Sequence, residues 1–128
     1  MGTKLKLTNT IIDNSFKLSM ESITPIHHNP DYEIMVKNIT LLAPDMTKIT
    51  LNIYIEDTSY TYIKVDTIKV SFLGSAISIM DRLAKSLKDP FENYYFNIPK
   101  DTRLAVELVV VSPEGNFVNL NITGELYD

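Results

Sequence analysis

The clearest structural signal in the chain is the alternating segment Lys48-Ile49-Thr50-Leu51-Asn52-Ile53-Tyr54-Ile55-Glu56. Large apolar residues occupy every second position, and polar or amphipathic residues lie between them. Successive side chains of a β-strand point to opposite faces, so this alternation predicts a strand with one buried face. The segment therefore favours a fold built from sheets that cover a core on one side.

Similar alternation in other segments predicts further strands, at Ser15–Ser22, Thr67–Leu73 and Arg103–Val111. Tyr32–Leu42 is a longer candidate whose alternation slips near Asn38, as a β-bulge would cause. We expect the inward positions of these strands to form the core: Phe16, Leu18, Met20, Leu51, Ile53, Ile55, Ile68, Val70, Phe72, Leu104, Val106, Leu108 and Val110.

A turn signal follows the strand predicted at Arg103–Val111. Ser112-Pro113-Glu114-Gly115-Asn116 supplies Pro, Gly and Asn between two alternating segments. These residue types are common in hairpin connections, so we expect Arg103–Val111 to pair antiparallel with Phe117–Thr123.

One helix is expected, at about residues 75–89. Its apolar residues have helical spacing, and the basic residues lie on the opposite side. The apolar set is Ile77, Met80, Leu83, Ala84 and Leu87, and the basic set is Arg82, Lys85 and Lys88. Gly74-Ser75 suits the helix start, and Pro90 ends it because proline disfavours α geometry in the residue before it. We interpret the basic side as a solvated helix face.

Together these elements predict a mainly β fold. The 128 residues fit one domain, so we expect a single antiparallel β-sandwich over residues 1–128 with one amphipathic helix. Seven or eight short strands with frequent turn signals favour a sandwich over a closed barrel. Jelly-roll-like and immunoglobulin-like topologies both remain open at this point.

Composition narrows the function classes. A formal charge of −4 and a pI near 5.1 disfavour nucleic acid as the main partner. The chain has no cysteine, which removes disulfides and thiolate chemistry. No apolar run is long enough to cross a bilayer, and the first residues lack a secretory signal. We expect a soluble protein without a membrane partner, intracellular or assembled in a virion.

Candidate metal and catalytic motifs are weak. His27-His28-Asn29-Pro30-Asp31 contains common metal ligands, but adjacent residues of a strand face opposite ways. Glu56-Asp57 with Asp66 could flank a hairpin and hold Ca²⁺, although no EF-hand spacing supports this. Neither a phosphate-binding glycine loop nor a nucleophile elbow is present. The sequence therefore predicts no catalytic, cofactor-binding or metal site.

Two tyrosine clusters offer a possible partner or ligand surface. Their members are Tyr60, Tyr62, Tyr94 and Tyr95. Tyrosine combines a large rigid ring with a hydrogen-bonding tip, which suits contact with sugars or with partner side chains. Packing between strands of the sheet is the competing interpretation.

These observations favour a non-catalytic structural or interaction module, a small subunit of a larger protein assembly such as a virion or phage particle. Its partners would be protein subunits in a homo- or hetero-oligomer. Contacts through sheet edges are expected at Thr3–Thr8 and Asn119–Glu125, which have extended alternating character. The alternative is a carbohydrate- or ligand-binding sandwich that uses the tyrosine clusters. An enzyme is the least favoured hypothesis.

Overall fold

The computed structural model describes residues 7–28, 31–56, 61–86 and 96–127. Within these ranges the chain forms nine strands and one short helix. In chain order they are β1 (Leu7–Lys17), β2 (Ile23–His28), β3 (Glu33–Leu42), β4 (Lys48–Glu56), β5 (Tyr62–Ser71), β6 (Ala76–Ser78), α1 (Met80–Ser86), β7 (Phe96–Ile98), β8 (Arg103–Ser112) and β9 (Asn119–Tyr127).

The strands form two antiparallel sheets, which confirms the predicted mainly β sandwich. The first sheet has the order β1-β9-β3-β6, and β7 also pairs with β3. The second sheet has the order β2-β8-β4-β5. Apolar residues from the inner faces of both sheets form one buried cluster between them.

Four short connections at one end of the sandwich join the two sheets. They comprise residues 18–22, 43–47, 72–75 and 113–118, and we call this region the loop end. Each connection joins two strands that hold the same position in the strand order of their sheets: β1 to β2, β9 to β8, β3 to β4 and β6 to β5. The connections therefore lie side by side in the order 18–22, 113–118, 43–47 and 72–75.

Alternation predicted most of the core correctly. Eight of the expected positions are at most 4% exposed: Leu51, Ile53, Ile68, Val70, Phe72, Leu104, Val106 and Leu108. Leu18 is also buried, whereas Phe16 and Ile55 are only half-buried. Full burial of one such side chain contributes about 1.5–3 kcal/mol. The bulge expected near Asn38 is confirmed, because the β3–β9 register shifts between Val36 and Asn38.

Two predicted core positions are wrong. Val110 is 48% exposed because a bulge shifts the β8 register between Leu108, which pairs with Leu51, and Val110, which pairs with Thr50. Val111 consequently packs against the core instead. Met20 is 47% exposed because β1 ends at Lys17, after which the chain crosses to the second sheet.

The predicted hairpin is also wrong. Strands β8 and β9 lie in different sheets, and residues 113–118 connect them across the sandwich. The two neighbours of β8 are β2 and β4, whereas those of β9 are β1 and β3. Turn residues indicate that the chain reverses there, but they do not tell whether the reversal stays within one sheet. The Asn119–Glu125 segment is therefore not a sheet edge, and residues 3–6 of Thr3–Thr8 lie outside the described residues.

The helix is shorter than residues 75–89. Ala76–Ser78 forms β6 along β3, where Leu41 pairs with Ile77, and α1 begins only at Met80. The free edge of β3 therefore overrides helical spacing in the first residues of the segment. Within α1 the expected sides are confirmed: Met80 and Leu83 are buried, and Arg82 and Lys85 are exposed. Residues 87–89, including Leu87 and Lys88, lie outside the described residues.

Candidate functional site

The predicted tyrosine surface is described only at Tyr62; Tyr60, Tyr94 and Tyr95 lie outside the described residues. The ring of Tyr62, in β5, makes an edge contact with that of Tyr54 in β4, with centroids 6.1 Å apart and planes at 78°. Edge-to-face pairs of this kind stabilise neighbouring strands. Tyr62 therefore makes the cross-strand contact of the competing interpretation, and both rings remain partly exposed.

Beside this pair, polar side chains are hydrogen-bonded across three strands of the second sheet. Glu107 accepts hydrogen bonds at Oε1 from Tyr54 Oη at 2.8 Å and from Asn52 Nδ2 at 3.0 Å. Thr67 Oγ1 donates to Asn52 Oδ1 at 2.6 Å. We call Asn52, Tyr54, Tyr62, Thr67 and Glu107 the polar face. Sequence reasoning missed Glu107 and Asn52. Alternation shows that each points away from the core, but it does not show that the two strands pair so that these side chains form a hydrogen bond.

The hydrogen bonds of the polar face shift two pKa values in opposite directions. Donation from Asn52 and then from Tyr54 lowers the pKa of Glu107, since both bonds favour the carboxylate, and the charge of Lys64 acts the same way. The bond to Glu107 raises the pKa of Tyr54, because a phenolate could not donate it. Both side chains are therefore held in one protonation state at neutral pH.

The metal candidates of the sequence are engaged in other contacts. Glu56 is buried and accepts a hydrogen bond from Arg103 Nη1 at 3.0 Å, and Asp66 Oδ1 accepts one from the Thr67 amide at 2.7 Å. Asp57 lies outside the described residues, as does the side chain of His28, while His27 is buried. Among the residues that the structure describes, no group of three His, Asp or Glu side chains could hold a metal ion.

The loop end has the opposite character from the polar face. Each of its four connections presents one large exposed apolar side chain: Met20 is 47% exposed, Met46 69%, Leu73 87% and Phe117 51%. Because the four connections are neighbours, these side chains are grouped at one end of the fold, and grouped apolar surface marks sites of interaction. Sequence reasoning missed this surface because it assigned Met20, Leu73 and Phe117 to strands and gave Met46 no role.

The backbone of the loop end is held by hydrogen bonds between neighbouring connections. Met46 N donates to Phe72 O at 3.2 Å, and Phe72 N donates to Thr47 O at 2.8 Å. Asn116 Nδ2 donates to the buried Thr47 Oγ1 at 2.9 Å. These bonds link 113–118 to 43–47 and 43–47 to 72–75, so the exposed side chains project from a preorganised support.

Every connection of the loop end contains one residue with positive φ. These residues are Glu21, Met46, Gly74 and Gly115. Glycine adopts this conformation without penalty, whereas for Met46, at φ 69°, it costs about 1 kcal/mol. Met46 therefore strains the fold slightly while most of its side chain remains in solvent.

An open groove of about 350 Å³ lies at one side of the loop end. Its apolar lining includes Leu18, Met20, Leu108, Val111 and Phe117, and Lys17 and Glu114 line it as well. Across the row of loops, Asp45 Oδ1 accepts a hydrogen bond from Gly74 N at 2.7 Å, next to Leu73. The loop end thus has a grooved half and a projecting half.

Comparison with family models and with curated proteins finds no match for this chain. Within the described residues, no helix is long and apolar enough to span a bilayer. The polar face and the loop end are therefore the two candidate functional surfaces of the described residues.

Proposed function

We propose that this protein is a non-catalytic structural subunit that joins a larger protein assembly through its loop end. The observation that carries the proposal is the set of four exposed apolar side chains, one from each connection: Met20, Met46, Leu73 and Phe117. Removing such side chains from water is the main driving force of protein association. A virus particle, or another assembly inside the cell, is an example of such a setting.

Rigidity of the loop end supports this proposal. Binding is weakened when loops must be ordered on contact, and a preorganised surface avoids that cost. Here the connections are already hydrogen-bonded to one another through Phe72, Thr47 and Asn116. The partners would be protein subunits, since the surface is apolar and the chain carries a net negative charge that disfavours nucleic acid.

The proposal is tested by the mass of the native complex in source cells. We expect the wild-type chain to occur in a complex of at least twice its own 14.6 kDa. Leu73→Asp should release it from that complex, because a charge buried in an apolar contact is poorly solvated. Ile63→Asp is the matched control, since Ile63 is 54% exposed in β5, away from the loop end. A wild-type chain that is monomeric in these cells, or equal behaviour of both variants, overturns the proposal.

A second candidate function is the binding of a neutral carbohydrate at the polar face. Its support is the partly exposed Tyr54–Tyr62 pair beside a Glu107 carboxylate whose Oε1 is fixed by two donors. Aromatic rings with fixed polar groups nearby are typical of small-molecule sites. Calorimetric titration with cellohexaose, xylohexaose and mannohexaose tests this candidate. Binding that Tyr62→Ala abolishes and Ile63→Ala preserves would support it, and no heat with any of the three sugars would exclude that class of glycan.

A further inference from the structure

The apolar side chains of the loop end form a row with two unlike halves. Following the strand order of the sheets, the row runs Met20, Phe117, Met46, Leu73 and spans about 15 Å at the usual strand spacing. The grooved half contains Met20 and Phe117. The projecting half contains Met46 and Leu73, the two most exposed of the four.

A row of this kind is complementary to itself when reversed. A two-fold axis that lies in the plane of the interface, perpendicular to the row and between connections 113–118 and 43–47, would place Leu73 opposite Met20 of a second copy. It would place Met46 opposite Phe117 in the same way. The groove of about 350 Å³ is large enough for the side chains of both Leu73 and Met46. Such an isologous contact closes on itself and gives a dimer.

The charges of the loop end fit the same reversal. Lys17 lines the groove, and Asp45 lies beside Leu73, where it accepts the Gly74 hydrogen bond. Glu114 also lines the groove, and the exposed Lys48 directly follows connection 43–47. Each half of the loop end therefore carries one positive and one negative side chain. When the row is reversed, the grooved half of one copy faces the projecting half of the other, and each charge has an opposite charge on the facing half. The net charge of −4 does not oppose pairing at this end.

Met46 independently points to an external contact. Its left-handed backbone would be relieved by glycine, and its side chain is 69% exposed, so the isolated fold gains little from methionine there. Backbone strain that persists at an exposed residue is characteristic of functional positions.

We infer that the partner of the loop end is a second copy of this chain, docked about a two-fold axis so that Leu73 and Met46 enter the groove of the other protomer. The inference rests on the proposed function, because it requires the loop end to be a protein-binding surface. It goes further by naming the partner and the orientation.

The first experiment measures the mass of the purified full-length protein by sedimentation over a concentration series. Wild type should pass from monomer to dimer as concentration rises. Leu73→Asp should weaken dimerisation at least ~10-fold, because it puts a charge in place of the apolar side chain that enters the groove of the other protomer. Met46→Gly should weaken it as well, while Ile63→Asp should stay within about twofold of wild type. Circular dichroism of each variant checks that the fold is retained.

The second experiment tests the orientation by cross-linking. Because the chain has no cysteine, single cysteines can be introduced without background. A mixture of the Leu73→Cys and Met20→Cys proteins should form a mixed disulfide under mild oxidation. Leu73→Cys by itself should form a disulfide dimer far more slowly, since the two-fold axis holds these residues apart. Preferred formation of the Leu73→Cys homodimer overturns the proposed orientation.

The outcomes separate this inference from the proposed function. A purified protein that stays monomeric at all concentrations overturns the second copy as partner. If Leu73→Asp nevertheless releases the chain from its complex in source cells, the loop end is an interface with a different protein and the proposed function stands. If neither experiment responds to Leu73→Asp, both proposals fail.

Discussion

The polar face and the loop end are both exposed, but the side chains of the polar face are hydrogen-bonded to one another, whereas the apolar side chains of the loop end face water. On the polar face, Asn52, Tyr54 and Thr67 direct their hydrogen bonds to one another and to Glu107. At the loop end the backbone is hydrogen-bonded in this manner, while the side chain of Leu73 projects into water. The polar face satisfies its hydrogen-bonding groups within the chain, and the loop end leaves apolar side chains exposed to water.

The difference shows how exposure should be interpreted. Single exposed apolar residues are ordinary on protein surfaces and need no explanation. Four of them on adjacent, mutually bonded connections are a different observation, because their support is rigid and their position is shared. The polar face is a useful reference, because its side chains satisfy their hydrogen bonds within the chain and need no partner to do so.

The largest expected effect comes from the residue that supports both surfaces. Leu108 is 2% exposed, lines the groove and precedes the bulge of β8 next to Glu107. Leu108→Ala should lower the free energy of unfolding by about 2–5 kcal/mol, through lost burial and an unfilled cavity. Denaturant unfolding measures this. The control is Val110→Ala, which should stay within about 0.5 kcal/mol because Val110 is half exposed. A larger loss for Val110→Ala would mean that the register of β8 is inverted.

A smaller effect is expected when the polar face loses its common acceptor. Glu107→Ala removes the acceptor of Asn52 and Tyr54, so the free energy of unfolding should fall by about 1 kcal/mol. The loss is limited because water can reach these partly exposed groups. Lys69→Ala, an exposed position on β5, serves as the control in the same unfolding assay. If the two variants are equally stable, the hydrogen bonds of the polar face do not stabilise the fold.

The polar face should also make stability depend on pH. The pKa of Glu107 is lower in the folded chain than its usual 4.5. Its contribution is therefore present above pH 4.5 and is lost as pH falls through the lowered value. Asn52→Ala should weaken this loss, since the bond from Asn52 is the largest cause of the shift. Unfolding measured from pH 7 into this acid range, for wild type and variant, gives the answer.

Glu33 provides a contrast within the same experiment. Burial raises its pKa above 4.5, so its contribution is present below pH 4.5 and is lost as pH rises through the raised value. Glu33→Gln should therefore make the acid-side loss of stability larger, whereas Asn52→Ala should make it smaller. Parallel changes in the two variants would contradict the assignment.

The smallest effect on stability is expected at Met46. Met46→Gly relieves a left-handed methionine but gives the unfolded chain more freedom, so the free energy of unfolding should rise by less than about 1 kcal/mol. Thermal unfolding of this variant checks the sign. A marked loss of stability would show that the methionine side chain supports the fold itself.

The sequence predicted the strands well where burial and alternation act together. Leu51, Ile53, Leu104 and Val106 are buried as expected because one face of each strand covers the core. It failed at Val110, because the alternation of Leu104, Val106, Leu108 and Val110 continues in the sequence through the bulge that changes the face of β8. The bulge of β3 was predictable because the alternation itself slips near Asn38.

It also failed where the outcome depends on distant partners. The segment Ala76–Ser78 forms a strand because the edge of β3 is available, and β8 and β9 separate because each finds neighbours elsewhere. The loop-end surface depends on four segments that lie far apart in the chain. Of the candidate ligand surface, Tyr62 and its packing between strands could be anticipated, but its partner Tyr54 could not.

Strand β9 lies between β1 and β3 in the first sheet, although it is the last of the three to be synthesised. On the ribosome, β1 and β3 must therefore wait with unpaired edges until residues 119–127 emerge. Pairing partners that are distant in sequence also slow folding. The pairing of β9 with β3 also depends on Gly124, because any Cβ there would collide with the Met35 carbonyl oxygen of β3. The nascent chain thus keeps one edge of β1 and one edge of β3 unpaired until late in translation, and these edges are open to association with other chains until β9 inserts.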